Sequence, residues 1–141
     1  MSSLVNRLTA EAARDGMQHL VVCAVIAGRG AVLLLHRTVD EELEDGYELP
    51  GGPAEPGETL DAALVRVVAA RTGLTVTSID GYLGSYDYPE THVGSVRNFQ
   101  FTVRVAGTSP IVLTRHDRHL WAPCTTEPVR RLLARPVADP G

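Results

Sequence analysis

The segment Leu49-Pro50-Gly51-Gly52-Pro53-Ala54-Glu55-Pro56-Gly57-Glu58 limits the fold more than any other stretch of the chain. Its three prolines and three glycines exclude a helix, so Pro50 to Gly57 is expected to be a loop. Directly after it, Thr59 to Arg71 places Leu60, Ala63, Leu64, Val67 and Val68 at helical spacing. Gly73 stands where a left-handed residue ends a helix. A rigid loop feeding a helix with one apolar stripe needs a sheet or another helix to cover that stripe.

The flanking segments supply the sheet. Leu20 to Ala27 and Ala31 to Leu35 are β-rich runs around Gly28-Arg29-Gly30, the pattern of a hairpin. Val96 to Val105 alternates Phe99, Phe101, Val103 and Val105 against Asn98, Gln100, Thr102 and Arg104, the clearest strand in the chain. Leu74 to Tyr86 reads as strand stretches broken at Gly81 and Gly84, and Ile111 to Leu113 and His119 to Ala122 as short strands. Leu4 to Asp15 and Glu127 to Arg135 read as helices. Asp40 to Glu48 is an acidic run, read as a solvated loop. Helix, hairpin, loop, helix, strands, helix is the order of a mixed α/β or α+β domain.

Composition narrows the function classes. The chain has 141 residues, enough for one core. Its longest apolar run, Leu20 to Ala27, falls far short of the ~20 residues of a membrane helix. Met1 to Gln18 has no apolar stretch of the signal-peptide kind, and two cysteines make no disulfide framework. A cytoplasmic protein with no membrane partner is expected. The net charge of −4 is the wrong sign for a general nucleic-acid binder. All 13 basic residues are arginine, so every fixed cation is a planar fork and no lysine can form a Schiff base.

The same loop and helix carry a family resemblance. The Nudix box has the pattern G-x5-E-x7-R-E-U-x-E-E-x-G-U, where U is a bulky apolar residue. Gly52, Glu58, Arg66, Val68, Gly73 and Leu74 stand in that register, and Tyr47-Glu48-Leu49-Pro50-Gly51-Gly52 resembles the usual lead-in. The resemblance extends from about Gln18 to Arg135, with His119-Leu120-Trp121-Ala122-Pro123 where the family often has an R-W-V-like strand. It implies a Nudix-like α/β/α sandwich with a mixed β-sheet, here residues 18–141, preceded by an N-terminal helical extension, 1–17. It also implies a small-molecule ligand, such as a nucleotide or diphosphate, and, as in many relatives, a homodimer.

The box is degenerate. Family glutamates that hold Mg2+ correspond to Val67, Ala70 and Arg71, spaced to share one helical face. Valine and alanine offer a cation nothing, and Arg71 repels it. Arg115 stands where relatives often carry a further glutamate. Glu58 and Arg66 are kept and are expected to form an internal salt bridge. A relocated Mg2+ or Mn2+ site would draw on Glu58 and Glu55, with Glu48 and Asp61 near in sequence.

Two uses of the altered face stand side by side. Arg71, helped by Arg66 and Arg115, would bind an anion directly through its fork. Alternatively, Arg71 complements the dipole in the last helical turn. Tyr86 and Tyr88 are candidates to stack on a ligand, with ordinary packing the favoured reading. His36, His92 and His116 are candidate acids or bases beside Glu58. Three functions follow: a ligand-binding Nudix-fold protein without Mg2+-dependent hydrolysis; an active pyrophosphohydrolase of nucleoside diphosphate derivatives with relocated metal ligands; or a metal-independent isomerase, cyclase or dehydratase.

Overall fold

Strand β1 (His19–Gly28) is buried on both faces over Val22 to Ile26, as its unbroken apolar run requires of a central strand. The computed structural model describes residues 2–28, 30–36, 47–108 and 110–124. Around β1 lie β2 (Ala31–His36), β3 (Tyr47–Glu48), β4 (Gly51–Pro53), β5 (Val76–Thr91), β6 (Gly94–Val105) and β7 (Arg118–Pro123). The sheet is seven-stranded in the order β3-β2-β1-β6-β5, with β4 beside β1 and β7 beside β2. It is mixed: β1 runs parallel to β6 from His19↔Val96 to Ile26↔Val103, and the other pairings are antiparallel.

Helices α1 (Ser2–Arg14) and α2 (Leu60–Thr72) cover one face. Val5, Leu8 and Ala12 of α1 join Leu60, Ala63, Leu64, Val67 and Val68 of α2 against Val22, Ala24, Ile26, Phe99, Phe101 and Val103. Thr59 caps α2 by accepting from Ala62 N, and Gly73 ends it in the left-handed region at φ 77°. Arg97 ties α1 to the sheet. It bonds Asp87 on β5 at 2.7 Å and Asp15 after α1 at 2.9 Å. Its guanidinium is thereby held charged well beyond the ordinary arginine range, first by Asp87. Cys23, Val25, Val32, Leu34, Leu49 and Ala122 form a second apolar cluster. No helix among the described residues is long and apolar enough to cross a membrane.

The structure departs from the sequence pattern in three places. Gly51–Pro53 is a strand, not loop, because glycine lets the backbone approach β1 closely. A Cβ at Gly51 would sit 2.7 Å from Cys23 Sγ and 2.8 Å from the Val22 carbonyl oxygen. Strand β5 runs through Gly81 and Gly84 without breaking, and the register shifts of bulges absorb both glycines. Ile111 to Leu113 is not a strand: Val112 N donates to Thr72 O at 2.8 Å, closing the end of α2 instead of joining the sheet. The helix expected over Glu127 to Arg135, and the acidic run as far as Gly46, lie outside the described residues.

Gly51 yields a direct test. Its backbone is not left-handed, so only space forbids a side chain. Gly51→Ala is expected to destabilise the fold by about 1–3 kcal/mol through overpacking. Chemical denaturation measures this; a neutral result would mean that β4 docks less tightly than these contacts require.

Candidate functional site

The loop–helix unit and the far end of the sheet meet in a cleft of about 260 Å³. Its walls come from β1, β4 and β6, from Glu48 on β3 and Tyr86 on β5, from Arg71 on α2, and from Arg115 and His116 before β7. Gly52 makes room for the helix: a Cβ there would lie 3.0 Å from Arg71 Nη2 and 3.3 Å from Val67. Arg71 Nε donates to Gly51 O at 3.1 Å, which seats the guanidinium on the cleft wall. Val67 faces the core at 2% exposure, and Ala70 is exposed. The three substituted positions therefore diverge, and only Arg71 reaches the cleft.

The His116 side chain is enclosed in the cleft. It is 3% exposed and its Nε2 lies 3.0 Å from Glu48 Oε2. A carboxylate accepts, so this contact keeps a proton on Nε2, and in the neutral ring Nδ1 is then an acceptor. Among the described residues Nδ1 has no hydrogen-bond partner, and neither do Asn98 Oδ1 and Gln100 Oε1. Tyr86 is buried, with Tyr88 edge-on at 5.2 Å; Tyr88 does not line the cleft.

Glu58 and Arg66 stand elsewhere. Arg66 Nε donates to Glu58 Oε2 at 2.8 Å, and its Nη2 donates to Glu58 Oε1 at 2.9 Å and to Pro53 O at 2.8 Å. Glu55 N donates to Glu58 Oε1 as well. These bonds pull the Glu58 carboxyl down from 4.5 to about 2, the Arg66 contact first, and hold Arg66 charged. Both Glu58 oxygens are used in fastening the loop to α2. Glu55 and Glu58 border a separate cavity against α1, outside the cleft lining.

The pair has a pH signature. Its carboxyl is depressed in the folded state, so its contribution is whole above about pH 4.5 and is lost as pH falls through about 2. The parent is therefore expected to lose stability relative to Glu58→Gln over that window. Thermal melts from pH 6 to about 2 read it; parallel curves would leave the pair without a stabilising role.

The remaining histidines are dispersed. His36 Nδ1 donates to Asp117 Oδ1 at 2.8 Å, and Arg118 Nη2 donates to His36 Nε2 at 3.2 Å. The His36 contact, before desolvation, lowers the Asp117 carboxyl. This network lies outside the cleft lining, and His92 is exposed in the turn between β5 and β6. Of the sequence candidates, Arg71, Arg115, Tyr86 and His116 come together. Glu48, named above only for a relocated cation site, joins them, and Asn98, Gln100 and Cys23 do so unforeseen as site residues. The amides had one visible signal: the polar side of β6 carries Asn98 and Gln100, uncharged between Arg97 and Arg104.

The donor set of the described cleft residues does not suit Mg2+. Among the described residues no group of three or more His, Cys, Asp or Glu side chains is placed to hold a metal ion. The carboxylate on the described cleft wall is Glu48, held by His116 and faced by arginines. Mg2+ prefers an oxygen shell, and this wall offers guanidinium and imidazole in its place.

Known proteins bear on this arrangement. A curated relative of Enterobacter sp. strain 638, the nucleoside triphosphatase NudI, is 37% identical over 65 residues, 44% of this chain and 46% of its own. A Mycobacterium tuberculosis protein with the provisional name 8-oxo-dGTP diphosphatase 2 is 38% identical over 63 residues, 45% of each chain. The chain thus spans less than half the length of the curated relatives it matches. The crystal structure of a MutT protein from Methanosarcina mazei Go1 superposes with a TM-score of 0.66 at 25% identity, over 83% of this chain and 91% of that one. The solution structure of the E. coli ORF135 protein has the same TM-score at 22% identity, over 90% and 98%, and so shares the α/β/α fold. The family model of the NUDIX domain matches residues 17–131, all seven strands, both sides of the cleft and the whole loop–helix unit, and the chain belongs to the Nudix family.

Proposed function

We propose that this chain binds a small phosphate-bearing ligand in the cleft and does not carry out Mg2+-dependent diphosphate hydrolysis. One observation carries the reading: Arg71, at a position where the family pattern has a glutamate, stands on the cleft wall with its guanidinium seated by Gly51 O. Arginine recognises phosphate through paired charge-assisted bonds and needs no bridging cation. Glu58, the retained box acid, is spent on Arg66. Titration calorimetry with nucleoside mono-, di- and triphosphates, in EDTA and in Mg2+, tests the reading beside a phosphate-release assay. Binding that persists in EDTA without turnover supports it. Turnover that requires Mg2+ and disappears in Glu58→Gln overturns it.

A second reading is nucleoside triphosphate hydrolysis with relocated metal ligands. It is favoured by the names of the two curated relatives, a nucleoside triphosphatase and a diphosphatase of 8-oxo-dGTP. The same assay separates the two. A third, metal-independent chemistry in the cleft, rests on the Glu48–His116 contact, which engages Nε2 and leaves Nδ1 without a hydrogen-bond partner among the described residues.

A further inference from the structure

The face of β6 that looks away from the α1–α2 core is built unlike the rest of the sheet. Gln100 stands between Cys23 on β1 and Gly84 on β5, and Cys23 in turn stands beside Gly51 on β4. Asn98 stands between Val21 and Tyr86. Glycines at both ends of the Gln100 row keep that part of the face low, and a Cβ at Gly84 would meet nothing within 4 Å. The two amides are nevertheless enclosed, Gln100 at 1% and Asn98 at 9% exposure. Their side-chain oxygens have no hydrogen-bond partner among the described residues, and His116 Nδ1 is in the same state. Buried polar atoms are nearly always paired, because an unpaired one weakens the fold. Three unpaired acceptors, on side chains that all line one cleft, are polar groups that folding itself has not used.

We infer that Asn98, Gln100 and His116 are the specificity-determining wall of this cleft and accept hydrogen bonds from the N–H or O–H groups of an anionic ligand whose phosphate Arg71 holds. The inference rests on the phosphate-binding reading above and adds what the rest of the ligand must be. Glu48 sets the tautomer of a neutral His116: with the Nε2 proton directed at the carboxylate, Nδ1 of the neutral ring accepts. An amide turns about its last bond to present its oxygen, so Asn98 and Gln100 need no backbone change to engage. A bare anion leaves this wall unused. A ligand edge made only of acceptors would engage the amide NH2 groups and leave the neutral His116 Nδ1 unpaired. The matching molecule combines an anion with several donors, whether ring N–H groups or sugar hydroxyls.

Calorimetry on the full chain in EDTA tests this with inorganic phosphate, ribose 5-phosphate, inosine 5′-monophosphate and guanosine 5′-monophosphate. A donor-bearing probe is expected to bind roughly tenfold or more tighter than inorganic phosphate. Guanosine above inosine monophosphate assigns the donors to a ring amino group; equal affinity for ribose 5-phosphate and both nucleotides assigns them to hydroxyls. Gln100→Met and Asn98→Leu keep side-chain bulk and remove the amides. In both, the preference over inorganic phosphate should fall toward unity, while the thermal midpoint holds or rises because an unpaired polar atom is gone. Retention of the preference, or a clear fall in the melting midpoint, overturns the inference and makes the amides structural. Equal binding of all four probes overturns it alone and leaves phosphate binding standing. No binding of any probe, inorganic phosphate included, overturns the phosphate-binding reading and this inference with it.

Discussion

Arg71→Glu is expected to weaken phosphate-ligand binding in EDTA by roughly 100-fold, the largest functional effect of any single change in the cleft. Two unit charges about 4 Å apart exchange about 4 kcal/mol at an effective dielectric of 20, and reversing the sign turns that attraction into repulsion. Arg71 is only half-buried, so solvent recovers part of the gross value. About 3 kcal/mol surviving is enough for the stated factor. Arg71→Gln removes the charge and keeps a donor for the Gly51 carbonyl, so its loss should be nearer tenfold. The alternative role of Arg71, complementing the α2 dipole, predicts a different pattern. It would cost about 0.3–1 kcal/mol of stability and leave affinity untouched. Affinity and melting curves on both variants separate these cases. Unchanged affinity in Arg71→Glu would sink the anion-binding reading.

Arg71 also shows how far the sequence reaches. The loop–helix register placed it, and the absence of carboxylates at 67, 70 and 71 was legible before any coordinates. The apolar stripe already assigned Val67 to the core; that Ala70 turns to solvent and Arg71 to the cleft was not legible. Residues on one helical face still diverge when a strand crosses beneath that face, and β4 does so here. Strand β4 was hidden because Gly-Pro density is normally a loop signal. Its glycines serve close pairing with β1 instead. The hairpin and β6 followed from local patterning, which the sheet keeps. The Glu48–His116 contact joins residues 68 positions apart, and no local period encodes such a pair. The same holds for Asn98 and Gln100: alternation separated them from the phenylalanines, but not solvent from cleft.

That alternation sets up the largest stability effect. Phe99→Ala is expected to destabilise the fold by about 3–5 kcal/mol. Phe99 is 1% exposed, faces Val22 across the parallel β1–β6 pairing, and packs in the core shared by α1 and α2. Removing the ring forfeits its transfer energy and leaves a cavity that a sheet pinned on both sides cannot close. Native domains hold only about 5–15 kcal/mol in all, so the loss takes a large share of what exists. Urea denaturation should show a lower midpoint with an unchanged slope, and the melting temperature should fall by on the order of 10 °C. Val65→Ala on the outer side of α2, at 41% exposure, serves as the control and should stay within about 0.5 kcal/mol. A Phe99→Ala loss below about 1 kcal/mol would mean that the helices can settle onto the sheet without the ring. The core would then be softer than its burial implies, and the neighbouring amide wall on β6 would lack the rigid backing that a specific cleft requires.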